Sequence, residues 1–407
     1  MSLTRHLKDK SSYVREFFEE HLPNTKSINS DGITLESLQI TAEIHNPKAT
    51  TPVNKLSNLN FGEAIILPLA MEDYPWQVVG IAFDYRLRYF LEVTPTEQLV
   101  AMKGASGVRM HFQTSKYPLA FLELQAQLAQ LAPELGKGIL PPEKEMYLDR
   151  LCIALAQYEA CYRAEIRENW PVIEIGPKGS LVDLLSKSPD IVAEDLFSLA
   201  NLFYDTHSTL SNLTPRFLNP TFGASGLLGG ADADLILSHR LIDIKTVHKA
   251  KVSREYLWQL AGYVLADKEN VYEIEEVGFY FARHGKEISW KVNDFFDYLA
   301  GEITDVSQLR YEFNQLLEMK QLEFSKAWEV KTASRRKTPA KKAPAKKGDL
   351  PVPLQLGESV SHGEFGLGKV VAVSGSGDLA EVTVDFGTSG KKRLLLQYAA
   401  LKKVPKS

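Results

Sequence analysis

Apolar residues fall at helical spacing in some stretches of the chain and at strand spacing in others. Tyr13–Leu22 predicts a charged amphipathic helix, and Phe121–Leu131 repeats apolar residues every three or four positions. A long helix is expected from Pro141–Pro142 to about Asn169, with proline in its first turn. Its apolar stripe is Leu148, Leu151, Cys152, Leu155 and Tyr162, and Glu159 falls on that stripe. A second helix is expected over Pro189–Tyr204, burying Ile191, Leu196, Leu199, Ala200 and Phe203. Further helices are expected at Arg254–Ala266 and Phe295–Met319. Short apolar runs at Ile65–Leu69 and Val78–Phe83 predict strands or buried segments. Phe217–Phe222 and Glu276–Phe281 read as strands, and Gly226–Gly230 as a loop. Ala231–Leu237 and Leu241–Thr246 predict a hairpin turning at Ser238–His239–Arg240.

From residue 189 to 281 the order is therefore helix, strand, hairpin, helix, strand, which is an α/β layer with a mixed sheet flanked by helices. Residues 1–140 mix helix and strand signals and carry no chemical motif, and residues 141–330 hold the α/β layer. Residues 331–350 are rich in Lys, Pro and Ala and predict a linker. Residues 351–407 alternate short strands with Gly turns and predict a small β-barrel.

With 44% hydrophobic and 24% charged residues, the 407-residue chain has the composition of a soluble globular protein. No apolar run approaches the roughly 18 residues of a membrane span, and the N-terminal stretch lacks a signal-peptide core. A cytoplasmic location and no membrane partner are expected. Cys152 and Cys161 are the two cysteines, and both lie in one predicted helix, so no disulfide is expected. The net charge of −4 hides an asymmetry. Residues 331–347 hold eight Lys or Arg and no acid, which leaves 39 basic against 51 acidic residues elsewhere. Such a run attracts a phosphate backbone without sequence preference.

The candidate chemistry lies in Gly229–Tyr263. Side chains two apart on a strand share a face, so Asp243 and Lys245 point one way while Ile242 and Ile244 enter the core. Asp232 and Asp234 share a face on the preceding strand. Acids and a lysine on strands otherwise built from Leu, Ile and Ala are costly unless paired or bound to metal. Mg²⁺ suits them, since it takes one or two carboxylates and retains several waters. The lysine would sit beside an attacking water and offset the developing phosphate charge. A tight hairpin turn favours Asp234 opposite Lys245, so Asp232 and Asp234 both stand as candidates.

Gly-Gly-Ala-Asp (229–232), Asp-Ile-Lys-Thr (243–246) and Gln259-Leu-Ala-Gly-Tyr263 together resemble the three signatures of the RecB-like branch of the PD-(D/E)XK nuclease superfamily. The resemblance covers roughly residues 190–285. It implies a restriction-endonuclease-like mixed sheet, with Asp232 and Asp243 on Mg²⁺ or Mn²⁺, Lys245 as the catalytic lysine, and Gln259 and Tyr263 contacting substrate. It favours Asp232 over Asp234. It also implies an upstream helical acid, for which Glu159, Glu194 and Asp195 are candidates. Some nucleases of this family carry an iron–sulfur cluster, which usually takes four thiolates; with two cysteines, none is expected here. The implied activity is hydrolysis of DNA phosphodiester bonds, in DNA repair and recombination or in phage defence. The rival is a catalytically inert adaptor with a nuclease fold.

Gly357-Glu-Ser-Val-Ser-His362-Gly-Glu-Phe365-Gly-Leu-Gly368-Lys-Val-Val, with the later VTVDF and KKRLLL, resembles the Tudor-like domain that ends the UvrD/PcrA helicases. That resemblance implies an SH3-like barrel that binds RNA polymerase, a repair or defence protein, or DNA. Gly363–Lys369 matches the start of a phosphate-binding loop, but Val370 stands where Ser or Thr would hold magnesium, and a strand follows instead of a helix. ATP binding is not expected.

Overall fold

The computed structural model describes residues 2–28, 32–34, 43–45, 63–68, 75–92, 99–137, 139–337, 354–362, 366–374, 381–387, 390–395 and 401–404. They fall into two compact units, Met1–Trp328 and Glu329–Ser407. The boundary expected at residue 140 lies inside the first unit.

The first unit opens with helices α1 (Leu3–Lys8) and α2 (Tyr13–His21) and strands β1 (Ile33–Thr34) and β2 (Glu43–His45). Helices α3 (Trp76–Leu91), α4 (Val100–His111), α5 (Leu119–Leu131), α6 (Pro142–Arg163), α7 (Pro171–Glu174), α8 (Leu181–Ser186) and α9 (Asp190–His207) follow. Next come β3 (Arg216–Leu218), α10 (Ser225–Leu228), β4 (Leu235–Leu237), β5 (Arg240–Lys245), β6 (Lys251–Val252), α11 (Arg254–Ala266), β7 (Glu276–Phe281), β8 (Lys286–Lys291), α12 (Val292–Ala300) and α13 (Val306–Lys337).

Six strands form a mixed sheet in the order β2–β8–β7–β5–β4–β3. All its neighbours are antiparallel except β5 and β7, which run parallel across α11. A two-residue turn joins β4 to β5, with Ser238 at φ 50° and His239 at φ 65°, which matches the twist of the flanking strands. The sheet is covered on both faces. Leu235, Leu237 and Ile242 pack with apolar residues of α3, α4, α6 and α9. Ile236, Leu241, Val277 and Phe279 pack with α1, α2, α11 and α12. Burial on both sides explains why β4 is apolar at every position, where a one-sided sheet would alternate.

Val78–Phe83, a strand candidate by sequence, lies inside α3, whose residues from Ala82 to Leu91 are all buried. A helix buried all round has no polar face, so its period is hidden. Ile65 and Ile66 are not in a strand; both donate backbone N–H groups to the Arg283 carbonyl, and Leu69 lies outside the described residues. The expected helix over Phe295–Met319 is two helices, broken at Gly301 with φ 82°. The long helix from Pro142 stops at Arg163. Tyr162 and Ile191 are exposed, and Lys103 lies over the Tyr162 ring. The expected strand over Ala231–Leu237 is ordered as a strand from Leu235.

Helix α3 meets α6 through a buried ionic knot. Arg86 is paired with Asp149 and Glu145 of α6, and its Nη2 donates to the Tyr204 hydroxyl of α9 at 2.7 Å. Helices α4 and α6 approach so closely that a Cβ on Gly104 would lie 1.7 Å from the Tyr158 carbonyl oxygen.

In the second unit the strands are β9 (Ser359–His362), β10 (Gly366–Ser374), β11 (Glu381–Asp385), β12 (Lys391–Leu395) and β13 (Lys402–Lys403). They form an antiparallel sheet in the order β12–β11–β10–β9–β13. The expected barrel is thus seen as a five-stranded sheet, and among the described residues no pairing joins its outer strands. Phe365 lies outside the described residues, as do 338–350 of the expected linker; 331–337 continue helix α13. Leu354, Val360, Val370, Val382, Val384 and Phe386 make a core of their own. A Cβ on Gly368 would lie 2.5 Å from a Phe386 ring carbon and 2.6 Å from a Val384 methyl. Gly368→Ala is therefore expected to destabilise this sheet by about 1–3 kcal/mol through overpacking. Followed by denaturant unfolding, the variant should lose the transition of the second unit early and leave that of Met1–Trp328 unmoved.

Candidate active site

The D-x-K strand sits at the centre of the sheet. Asp243 and Lys245 point to the α11 side, while Ile242 and Ile244 pack on the opposite side with α3 and α9. Asp243 is 2% exposed, and Lys245 Nζ lies 2.5 Å from its Oδ2. The ammonium also lies 4.0 Å from the centre of the Tyr256 ring and donates to Gln259 Oε1 at 3.3 Å. Helix α11 is capped by Ser253, whose hydroxyl accepts from the Tyr256 N–H. One turn separates Gln259 from Tyr263, and Gln259 Nε2 donates to the Tyr263 hydroxyl at 2.7 Å. Asp243, Lys245, Gln259 and Tyr263 thus form one continuous polar chain inside an apolar layer.

Asp234 joins this chain. Extending the β4–β5 register by one residue sets it beside Asp243, and its Oδ2 accepts from the Ile244 N–H at 2.6 Å. Asp232 lies further along, in a bridge with Thr221, whose hydroxyl donates to Asp232 Oδ1 at 3.2 Å. Burial, followed by the charges of Asp243 and Asp84, holds the Asp234 carboxyl well above the usual carboxylate range. Burial works against the Lys245 ammonium, but Asp243, Tyr256 and Asp234 together raise its pKa above the ordinary lysine value. Burial and then the two aspartates push the Tyr263 phenol well above its ordinary value.

A second group of charges borders the first from α3 and α6. Arg88 Nε donates to Asp84 Oδ1 at 3.0 Å, and its Nη2 donates to Asn219 Oδ1 at 3.2 Å. The Asn219 N–H in turn donates to the Asp234 carbonyl at 2.9 Å. Glu159, 1% exposed, accepts from the Tyr85 hydroxyl and from Arg163 Nε. Of the three upstream acids proposed from sequence, Glu159 lies in this group. Asp195 forms a two-pronged ion pair with Arg283 at 2.8 and 2.9 Å, and Glu194 is exposed. Sequence reasoning missed Asp84 and Arg88. Their signal was present as charged residues within the apolar run Val78–Leu91.

Among the described residues, no group of three or more His, Cys, Asp or Glu side chains is arranged to hold a metal ion alone. Magnesium asks for less, since one or two carboxylates and waters suffice. Asp243 Oδ2 is buried, and the Lys245 ammonium 2.5 Å away is its partner. Asp234 and Asp243, side by side, are oxygen donors of the kind Mg²⁺ or Mn²⁺ takes.

The comparisons with known proteins bear on the second unit. Residues 356–403 match the PcrA/UvrD tudor domain. The chain is similar to the ATP-dependent DNA helicase UvrD1 of Mycobacterium bovis and of Mycobacterium tuberculosis H37Rv, each at 43% identity over 51 residues. That stretch is 12% of this chain and 7% of each helicase, so the chain spans under a tenth of the length of the curated relatives it matches. The C-terminal unit is a Tudor-like domain of the UvrD/PcrA type. The first unit is an α/β fold with a mixed sheet flanked by helices. None of the described helices is long and apolar enough to cross a membrane.

Proposed function

We propose that the first unit is a metal-dependent nuclease of the PD-(D/E)XK type that hydrolyses DNA phosphodiester bonds. The single observation that carries this reading is the chain Asp234–Asp243–Lys245–Gln259–Tyr263, drawn together from two strands and the helix between β5 and β7. The order of α9, β3, the β4–β5 hairpin, α11 and β7 supports a restriction-endonuclease-like sheet. Asp243 would hold Mg²⁺ or Mn²⁺. The second ligand is Asp232 or Asp234, and the Ile244 hydrogen bond favours Asp234. A cation held there would supply an activated water and would withdraw charge from a phosphate oxygen. Lys245, held protonated by Asp243, offsets negative charge as the bond to phosphorus forms. Gln259 fixes the lysine, and Tyr263 fixes Gln259, so both hold the geometry as well as meeting substrate.

The Tudor-like domain would dock this nuclease to DNA, to RNA polymerase or to a repair or defence complex, and the basic stretch at 331–347 would add nonspecific attraction. Repair, recombination and phage defence all fit such an activity. One observation favours the rival reading, an inert nucleic-acid or polymerase adaptor: Lys245 and Asp243 already satisfy each other in a closed pair. The separating experiment incubates the full chain with single-stranded DNA, double-stranded DNA and matched RNA, with Mg²⁺, with Mn²⁺ or with EDTA. Cleavage of DNA in the metal arms alone is the expected result. Intact DNA in every arm, with binding retained, would establish the adaptor.

A further inference from the structure

The segment that carries the chain from β5 to α11 runs Lys245-Thr-Val-His-Lys249-Ala-Lys251-Val-Ser-Arg254 and holds four Lys or Arg, one His and no acid. Its apolar and basic positions face opposite ways. Val247, Ala250 and Val252 pack into the core on the α11 side of the sheet, while His248, Lys249 and Lys251 are exposed. Backbone contacts hold this division in place. Lys251 of β6 pairs with Thr34 of β1, and its N–H donates to the Lys249 carbonyl at 2.8 Å. Arg283 Nε donates to the Thr246 carbonyl at 3.0 Å. Like charges set so close repel one another unless acids sit between them. The acid nearest in sequence, Glu255, is already taken: its Oε1 lies 3.1 Å from Arg254 Nε and 3.7 Å from Arg15 Nη1. Among the described residues, neither Lys249 nor Lys251 has a carboxylate partner.

Both ends of this basic row are tied to the candidate active site. Lys245 opens it, and Tyr256, two residues past Arg254, holds its ring 4.0 Å from Lys245 Nζ. The row also lies on the side of the sheet to which Asp243 and Lys245 point, since the core under Val252 and helix α11 are on that side. Lys249 follows Lys245 by four residues, so their Cα atoms are at most about 14 Å apart. Nucleotides rise by about 3.4 Å along each strand of duplex DNA, so about four of them span that distance. A strand with one phosphate at Lys245 therefore carries further phosphates at the spacing of Lys249 and Lys251.

We infer that Lys249 and Lys251 form a phosphate track, which holds the DNA backbone on either side of the phosphate addressed by Asp243 and Lys245. The inference rests on the nuclease reading for that central phosphate. An ammonium group meets phosphate as a point charge, and contacts of this kind set register and orientation without reading the bases. The track would thus place the strand in the site and impose no sequence. Each phosphate it neutralises releases counterions from the DNA, so its contribution fades as salt rises.

The test measures binding of a labelled DNA duplex to the full chain in EDTA by fluorescence anisotropy, at salt concentrations from about 50 to 200 mM. The variant is Lys249→Gln with Lys251→Gln. Both side chains are exposed and unpaired among the described residues, so the fold should be undisturbed. A control, Lys116→Gln with Lys178→Gln, removes the same charge from two exposed positions on the segments before α5 and α8. The plot of log affinity against log salt should become shallower by about 2 in the track variant, about 1 for each lysine, and keep its slope in the control. Binding at the lowest salt should weaken roughly 10- to 100-fold in the track variant. The basic stretch at 331–347 is common to all three proteins and cancels from the comparison. An unchanged slope in the track variant overturns the inference. An equal change in the control does so too, since net charge alone would then explain it. A shallower slope without DNA cleavage in Mg²⁺ or Mn²⁺ would retain the track and remove the nuclease reading. Cleavage with an unchanged slope would do the reverse.

Discussion

Replacing Asp243 by Asn together with Lys245 by Gln is expected to eliminate metal-dependent DNA cleavage while leaving the chain folded. The two side chains are largely enclosed and lie 2.5 Å apart, so each offsets the charge of the other. Removing one alone strands the other in an apolar layer, which costs about 3–5 kcal/mol. Lys245→Ala is accordingly a poor test: it would lower activity and stability at once. The paired replacement removes both charges, keeps the side-chain volumes and leaves groups able to hydrogen-bond each other. Its thermal unfolding midpoint should stay within a few degrees of the wild type, as about 1 kcal/mol shifts a large domain by roughly 2–4 °C. Loss of one preorganised charge-stabilising group typically lowers turnover by about 10²–10³-fold, and here two such groups go. Oligonucleotide cleavage with Mg²⁺ or Mn²⁺ gives the readout. Full activity in the double variant would move the chemistry to some other part of the molecule. The single variants Asp232→Asn and Asp234→Asn then separate the two candidate ligands, and the greater loss is expected for Asp234.

Arg86→Ala is expected to cost about 3–5 kcal/mol, a large share of the 5–15 kcal/mol that holds a typical protein folded. The reason lies in what stays behind. Asp149 and Glu145 are 0% and 2% exposed, and Arg86 is the guanidinium paired with both. Burial, partly countered by Arg86 and reinforced by Glu145, raises the Asp149 carboxyl to about 6. A carboxyl with a raised folded pKa favours the folded state most at acid pH, and that contribution is lost as pH rises toward 6. Without the guanidinium this dependence should steepen, so the variant should be closer to wild type at pH 5 than at pH 8. Urea unfolding at the two pH values tests it. An equal loss at both would show that Arg86 acts through packing against Tyr204 instead of through charge.

The strand alternation around Asp243 was legible because it is local. Two residues apart on any strand means the same face, whatever the rest of the chain does. The same holds for Gln259 and Tyr263, one turn apart on a helix with a clear Ser253 cap. A turn expected at Ser238–His239–Arg240 followed from the apolar runs on either side of it, and the structure shortens it to Ser238–His239, with Arg240 opening β5. By contrast, α3 reads poorly from sequence. Its apolar run is buried on all sides, so neither period shows, and Asp84, Arg86 and Arg88 look misplaced until their partners on α6, α9 and β3–β4 are known.

The amino-acid sequence by itself determined the central strand pair, the polar face it carries and a separate C-terminal β-unit, since each follows from residues close together along the chain. Tertiary structure alone decided that Glu159 instead of Asp195 joins the charged border, through Tyr85 of α3, and that Trp76 and Trp170 line one cavity. The Asp195–Arg283 and α3–α7 contacts join segments tens of residues apart, set by how helices dock on a two-sided sheet, and no local period reports them.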